Sequence, residues 1–313
     1  MIGVVGAGAF GTALAVAWGR SAREVVLWGR NAEAMAEAAT RRRLSRLPDI
    51  RLPASVCPTS APSDLGGCDL LVVAVPMQRL SEVLDALPRL QPTDAVAACK
   101  GIDLDSLRGP TAILSEALPA ARASILSGPS FARDIAQGLP TALSLGGGDA
   151  GLQANLSTPA LRLYRTDDTR GVELGGALKN VIAIACGAAI GAGLGESARA
   201  ALMTRGMAEM MRLATALGAR RETLMGLSGL GDLALTCASP KSRNFTLGHA
   251  LGQGRPAPDA TTEGKATARA ALRLAEANGI DMPVTRAVGG LVAGTLSVKD
   301  AIDSLLAREL RTE

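Results

Sequence analysis

Aromatic side chains are nearly missing from this 313-residue chain, with three Phe, two Trp and one Tyr making up 2% of it. Base-stacking surfaces need such rings, and a net charge of +4 is too small for a phosphate-tracking groove, so no nucleic-acid partner is expected. Histidine occurs once, as His249. That excludes a histidine-rich metal site and makes a Ser-His-Asp arrangement a poor fit, so no metal is expected. In Leu247-Gly248-His249-Ala250 it reads as a helix-surface residue. The five cysteines, Cys57, Cys68, Cys99, Cys186 and Cys237, are odd in number and form no Cys-x-x-Cys, which fits a reducing compartment. No charged leader precedes an apolar segment at the N-terminus. The uncharged stretch from Val181 to Gly195 is shorter than the roughly 20 residues a membrane span needs. A soluble, cytoplasmic protein without a membrane span is the expectation.

Glycine and small aliphatics fill the space the aromatics leave. Hydrophobic residues are 48% of the chain and glycines number 36, so cores must rest on Ala, Leu and Val with close backbone packing, as in an α/β sheet with tightly packed helices. The length exceeds what one core usually organises and predicts two domains. The mild basic excess, with a pI near 9.0, suits anionic small molecules. The dense run Arg41-Arg42-Arg43 with Arg46 and Arg51 reads as a solvated face.

Ile2-Gly3-Val4-Val5 is a short strand pattern that runs into Gly6-Ala7-Gly8-Ala9-Phe10-Gly11 and then the helix pattern Thr12 to Trp18. Between strand and helix the three glycines serve, in turn, a tight bend, backbone approach to a pyrophosphate, and close helix packing. The anion would sit on the helix N-terminus. A second strand, Glu24 to Trp28, ends in Gly29-Arg30-Asn31, where the fingerprint calls for an acidic residue on the ribose hydroxyl. Arg30 stands there instead, and an arginine fork suits a 2′-phosphate, which favours NADP over NAD. Further strands are predicted at Asp69 to Val75, Ala95 to Cys99, Ala123 to Leu126, Thr141 to Leu145 and Leu161 to Tyr164. Near-continuous apolar runs mean a mainly parallel sheet covered on both faces. The strand ends carry Pro76, Lys100 and Ser130, and Lys100 is a candidate phosphate or carbonyl contact.

After Thr166 to Gly171 the strand signals stop and helices take over: Glu173 to Gly193, Glu196 to Gly218, Arg221 to Leu227, Ser242 to Gly252, Thr262 to Asn278, Val284 to Ala293 and Val298 to Leu310. The predicted fold is therefore α/β: a Rossmann-type, doubly wound dinucleotide-binding domain over residues 1–170, then an all-α substrate domain over 171–313, the two facing each other across a cleft. Glu173-Leu174-Gly175-Gly176-Ala177-Leu178-Lys179-Asn180 delivers one lysine onto an apolar helix. A lysine in such a place either pairs with a carboxylate or works as an acid or base. Gly229-Leu230-Gly231-Asp232-Leu233 puts a carboxylate into an apolar, Gly-rich turn, a candidate to orient Lys179. Ser242-Arg243-Asn244 offers a hydroxyl, an arginine that matches a phosphate, and an amide. Asp232 and Ser242 also have the residue types of helix caps.

Taken with Cys99-Lys100-Gly101-Ile102, Leu126-Ser127-Gly128-Pro129-Ser130-Phe131-Ala132, Thr262-Glu263-Gly264 and Asn278-Gly279-Ile280-Asp281-Met282-Pro283, these motifs in this order resemble bacterial NAD(P)-dependent glycerol-3-phosphate dehydrogenase. The likeness covers almost the whole chain. It implies a cytoplasmic homodimer interconverting dihydroxyacetone phosphate and sn-glycerol 3-phosphate for glycerophospholipid synthesis, with NADP (preferred) or NAD as cofactor. It further implies that Lys179 is the catalytic proton donor and acceptor, oriented by Asp232. Lys100, Gly128, Ser130, Lys179, Asn180, Asp232, Ser242, Arg243 and Asn244 fall on its substrate-site positions. Gly6, Gly8, Ala9, Phe10, Gly11, Arg30, Lys100, Ala132, Arg243, Thr261 and Glu263 fall on its cofactor positions. The chain departs from the family pattern at Ala9-Phe10 in the glycine loop and at Arg46-Leu47-Pro48, which lacks the family's tyrosine.

The chemistry fits the residues. A ketone carbon that receives a hydride becomes an alkoxide and needs a proton from a positioned acid. Without a promising histidine, Lys179 qualifies if burial brings its pKa down from about 10.4. Two alternatives stay open: a related two-domain reductase of another small ketone or keto acid, of ketopantoate type for instance, and a non-catalytic NADP-sensing module.

Overall fold

The computed structural model describes residues 1–256 and 262–306. The chain divides into two compact units. Met1–Lys100 and Arg108–Glu173 form the first, and Gly101–Leu107 with the chain from Leu174 onward forms the second.

The first unit is an eight-stranded sheet in the order β3-β2-β1-β4-β5-β6-β7-β8. Its strands and helices run β1 (Ile2–Val5), α1 (Ala9–Arg20), β2 (Val25–Trp28), α2 (Ala32–Arg41), β3 (Val56–Thr59), β4 (Leu70–Val73), α3 (Leu80–Asp85), β5 (Asp94–Ala97), α4 (Pro110–Ala117), β6 (Arg122–Ser127), α5 (Ala132–Gln137), β7 (Thr141–Gly146), α6 (Ala150–Leu156) and β8 (Leu161–Thr166). Every neighbouring pair is parallel except β6 and β7. The first six strands thus have the doubly wound order, whose direction reverses between β1 and β4. Alternate residues of the central strands feed two cores: Val4, Leu27, Val72 and Val96 pack on one face, and Val5, Val26, Val73 and Ala97 on the other. Apolar residues on both faces are what helices on both sides of a parallel sheet demand. Strand β3 escapes the sequence reading because it is a short edge strand with alternating burial and Pro58 at its middle, a residue that edges tolerate.

The second unit is helical: α7 (Thr169–Gly191, beginning in the first unit), α8 (Gly195–Ala216), α9 (Arg221–Met225), α10 (Asp232–Cys237), α11 (Arg243–Gly252), α12 (Glu263–Ala277), α13 (Pro283–Ala293) and α14 (Val298–Leu306). Helix α7 has 23 residues and is long and apolar enough to cross a membrane by composition alone, but 89% of its most apolar window is buried inside the protein. It is the core helix around which α8, α10, α11 and α12 supply apolar partners. The sequence reading began this helix four residues late. Lys179 consequently sits near its middle and not in its first turns. The stretch read as a Gly-rich turn before Asp232 is a π-helical turn, Leu227–Gly231, that continues directly into α10.

Glycine does for α7 and α11 what large side chains do elsewhere. A Cβ on Gly187 would stand 2.1 Å from the Phe245 carbonyl oxygen, and one on Gly191 2.2 Å from that of His249. From the other side, a Cβ on Gly248 would stand 2.0 Å from the Ile184 carbonyl oxygen, and one on Gly252 2.2 Å from that of Ala188. The two backbones are therefore in direct contact along a seam in which both chains run the same way. That parallel register brings the N-terminus of α11 beside Asn180.

Candidate active site

The glycines of the loop after β1 differ in their surroundings as the fingerprint requires. Gly6 has φ +116°, and a Cβ there would lie 2.8 Å from the Ala74 carbonyl oxygen at the end of β4. A Cβ on Gly11 would lie 2.1 Å from the Gly6 oxygen, so α1 can only pack this closely with glycine. Gly8 is different: nothing stands within 4 Å of where its Cβ would point. The open space lies at the N-cap of α1, whose first turn carries neither a side-chain cap nor an acidic residue. Such an end binds anions through free N–H groups and the helix dipole, so a pyrophosphate fits there. Ala9, Phe10 and Ala132, the first residue of α5, pack half-buried on the same apolar cluster.

Arg30 follows β2 and is exposed. The preceding Gly29 lies against the loop, since a Cβ there would stand 2.8 Å from Ala7 Cβ. The Arg30 charge reaches Glu82, whose carboxyl is held below the usual range mainly by its hydrogen bond to Arg79 and to a lesser extent by the charges of Arg79 and Arg30. Asn31 next to it caps α2 by accepting from Ala34 N–H at 2.9 Å.

A second cluster of the sheet unit gathers at Gly128, where φ is +150°. Its carbonyl oxygen accepts from Lys100 Nζ at 3.0 Å and from Ser130 Oγ at 3.1 Å. The structure thus joins two of the three strand-end residues named from sequence, Lys100 after β5 and Ser130 after β6.

In the helical unit, Lys179 is 7% exposed and Asp232 1%. Lys179 Nζ donates to Asp232 Oδ1 at 3.0 Å and to Thr236 Oγ1 at 2.7 Å, while the Thr236 hydroxyl donates to the same Asp232 oxygen at 3.2 Å. The ammonium is pinned between a carboxylate and a hydroxyl one helical turn apart on α10. Asp232 is not a cap: Gly231 holds the N-cap position, and the Asp232 carboxylate is spent on the lysine. Thr236 went unnoticed as a site residue because the turn reading hid that Asp232 opens a helix, where residues four apart share a face. The thiol beside this pair, Cys237, shares a hydrogen bond with Cys186, and that bond together with burial pushes it well above the usual thiol range. It stays protonated and supplies no nucleophile.

Asn180 Oδ1 accepts from Asn244 Nδ2 at 2.9 Å, and Asn244 Oδ1 accepts from Gly264 N–H at 3.0 Å. Ser242 caps α11, its hydroxyl oxygen accepting from Phe245 N–H at 3.2 Å. The cap is real, and it leaves the hydroxyl proton for another acceptor. Arg243 is exposed, and no partner for its guanidinium stands among the described residues. With the α11 dipole and the Arg243 charge superposed, this end of the helix favours a dianion. Glu263 opens α12, and Thr261 lies outside the described residues.

A family model of the NAD-dependent glycerol-3-phosphate dehydrogenase N-terminus matches residues 1–152, and the model of the C-terminus of that family matches residues 168–303. The chain is 57% identical over 320 residues to the glycerol-3-phosphate dehydrogenase (NAD(P)+) of Cereibacter sphaeroides, covering 100% of both chains. It is 54% identical over 320 residues to that of Ruegeria sp., covering 100% of this chain and 99% of the relative. The solved glycerol-3-phosphate dehydrogenase of Coxiella burnetii superposes with a TM-score of 0.91 at 34% identity, over 98% of each chain. The chain belongs to the NAD-dependent glycerol-3-phosphate dehydrogenase family.

Proposed function

We propose that the chain interconverts dihydroxyacetone phosphate and sn-glycerol 3-phosphate with NAD(P) as cofactor, supplying glycerophospholipid synthesis as a cytoplasmic homodimer. The observation that carries this reading is the Lys179, Asp232 and Thr236 triangle on helices that also bring Arg243, exposed and at a helix N-terminus, beside Asn180. A proton donor and a phosphate seat within one unit match a small ketone with a phosphate close to its carbonyl.

Residues 1–170 hold the dinucleotide through Gly6, Gly8, Ala9, Phe10, Gly11, Arg30 and Ala132, and residues 171–313 hold the substrate. When bound, the nicotinamide supplies or accepts the hydride. Lys179 gives its proton to the oxygen that becomes the secondary alcohol, and takes it back in the reverse direction. Asp232 balances the ammonium and, with Thr236, fixes its direction, so that little reorganisation remains in the transition state. Arg243, the free N–H groups at the start of α11 and the Ser242 hydroxyl hold the phosphate, whose binding energy fixes the approach of the carbonyl. By resemblance to the family, Lys100, Gly128 and Ser130 are further substrate residues, and Lys100, Arg243, Thr261 and Glu263 further dinucleotide residues. Arg30 favours NADP, because a guanidinium at the ribose position pairs with a 2′-phosphate. Full-length identity above one half to glycerol-3-phosphate dehydrogenases leaves a reductase of another keto acid, or a cofactor sensor, without support.

The deciding experiment follows nicotinamide absorbance while the purified protein meets dihydroxyacetone phosphate with NADPH or NADH. Faster oxidation of NADPH is expected. Oxidation of NADH alone would keep the enzyme and remove the role of Arg30, and no oxidation with either would remove the activity.

A further inference from the structure

Among the described residues, the first turn of α12 has no side-chain cap of its own. Thr262, at the N-cap position, makes no side-chain cap hydrogen bond. The Gly264 N–H, which the helix leaves without an internal partner, is taken instead by Asn244 Oδ1 from α11. The other end of that amide donates to Asn180 on α7. Asn180 is 4% exposed and Asn244 8%. Gly264 is seated in the same notch: a Cβ there would stand 2.7 Å from the Asn180 carbonyl oxygen and 2.8 Å from Asn244 Oδ1. One buried amide therefore ties three helices together, next to the lysine on one side and to Glu263 on the other.

We propose that the Asn244 side chain is a positioning residue for dinucleotide use, acting as the cap that α12 lacks and setting Glu263 relative to Lys179, while only its backbone N–H at the start of α11 serves the substrate phosphate. The proposal rests on the reading of Glu263 as a dinucleotide contact. An amide whose oxygen and one N–H are both spent on buried protein partners has little left for a substrate. Removing it leaves the Gly264 N–H and the Asn180 oxygen buried and unpaired, and loosens the first turn of α12.

The test is steady-state kinetics with NADPH and dihydroxyacetone phosphate varied separately, on Asn244→Ala, Gly264→Ala and Glu263→Gln, with thermal melts to establish that each variant is folded. Gly264→Ala removes no side chain but presses a Cβ on the Asn180 carbonyl oxygen and Asn244 Oδ1, so it disturbs the same joint from the α12 side, and the split between the two KM values separates a scaffold from a substrate contact. In both variants the KM for NADPH is expected to rise about 10-fold, the effect of one buried hydrogen bond lost in Asn244→Ala and forced out of place by the added Cβ in Gly264→Ala. The KM for dihydroxyacetone phosphate should move less than about 3-fold. A selective rise in the dihydroxyacetone phosphate KM of Asn244→Ala would make its amide a substrate contact and overturn the proposal. So would an unchanged NADPH KM in Gly264→Ala while Glu263→Gln raises it. If Glu263→Gln leaves the NADPH KM unchanged, the reading of Glu263 itself falls, and the proposal with it.

Discussion

Gly248 on α11 stands against Ile184 on α7 so closely that a Cβ at position 248 would lie 2.0 Å from the Ile184 carbonyl oxygen. Backbone on backbone is the closest approach two helices can make, and here it repeats along both glycine pairs of the seam. The contact does more than fill space. It fixes how far the N-terminus of α11, with Ser242 and Arg243, stands from Lys179 upstream on α7.

Gly248→Ala is therefore expected to act in two ways at once. Overpacking a tight interface costs about 1–3 kcal/mol, read as a lower melting temperature. Because the helices must separate, the KM for dihydroxyacetone phosphate should also rise, with the KM for NADPH little changed. A variant that melts lower but binds the ketone as before would show that the seam serves stability alone.

Lys179 and Asp232 bury opposite charges 3.0 Å apart. Breaking such a pair from one side leaves a bare charge in the interior and costs about 3–5 kcal/mol, whereas replacing both partners by apolar residues is close to neutral. Asp232→Leu should melt well below the parent, and Lys179→Met combined with Asp232→Leu should recover most of the loss. Both should lack turnover while still binding NADPH, measured by quenching of nicotinamide fluorescence. A double variant as unstable as the single one would contradict the pairing.

Much of this was legible in the sequence, for a definable reason. Strands buried on both faces and a Gly-x-Gly-x-x-Gly between strand and helix each have one common structural cause, so β1, α1 and the cofactor loop could be read directly. Lys179 stood out because an apolar helix tolerates a charge only with a partner. What stayed hidden depends on contacts between distant segments. The glycines at 187, 191, 248 and 252 stand four apart in each helix, yet nothing in either segment says that the two pairs meet. Thr236 was lost with the π-helical turn, a local geometry that composition does not announce. Edge strand β3 was lost to its proline. Glu209, which accepts from the Val284 and Thr285 N–H groups at the start of α13, lies too far from them along the chain to be recognised without the fold.

Arg30 gives a prediction about cofactor choice. Arg30→Ala should lower kcat/KM with NADPH roughly 10-fold, the order of one charge-assisted hydrogen-bonded pair, and alter that with NADH by less than about twofold. Measuring both cofactors on both proteins decides it. An unchanged NADPH to NADH ratio would assign 2′-phosphate recognition to another residue.

Glu209, 1% exposed, caps a helix from outside it. Helix α13 opens at Pro283 without a side-chain cap of its own. Glu209 instead accepts from Val284 N–H at 2.6 Å, Thr285 N–H at 3.0 Å and the Thr285 hydroxyl at 2.9 Å. Burial raises its pKa above the ordinary value of 4.5, and the three hydrogen bonds only partly oppose the rise. The folded protein thus holds this proton at a pH where the unfolded chain has lost it. Its contribution to stability is complete below about pH 4.5 and declines as pH rises through the folded value. In Glu209→Gln nothing titrates at this position, and the amide cannot accept all three bonds, so the variant should be less stable throughout. The gap in melting temperature between parent and variant should be widest at the acid end and narrow toward neutrality. Paired melts from about pH 4 to pH 8 measure it directly, because the other titrating groups are common to both proteins and cancel in the difference. A gap that widens with pH would mean that the three donors outweigh burial and that the carboxylate is the stabilising form.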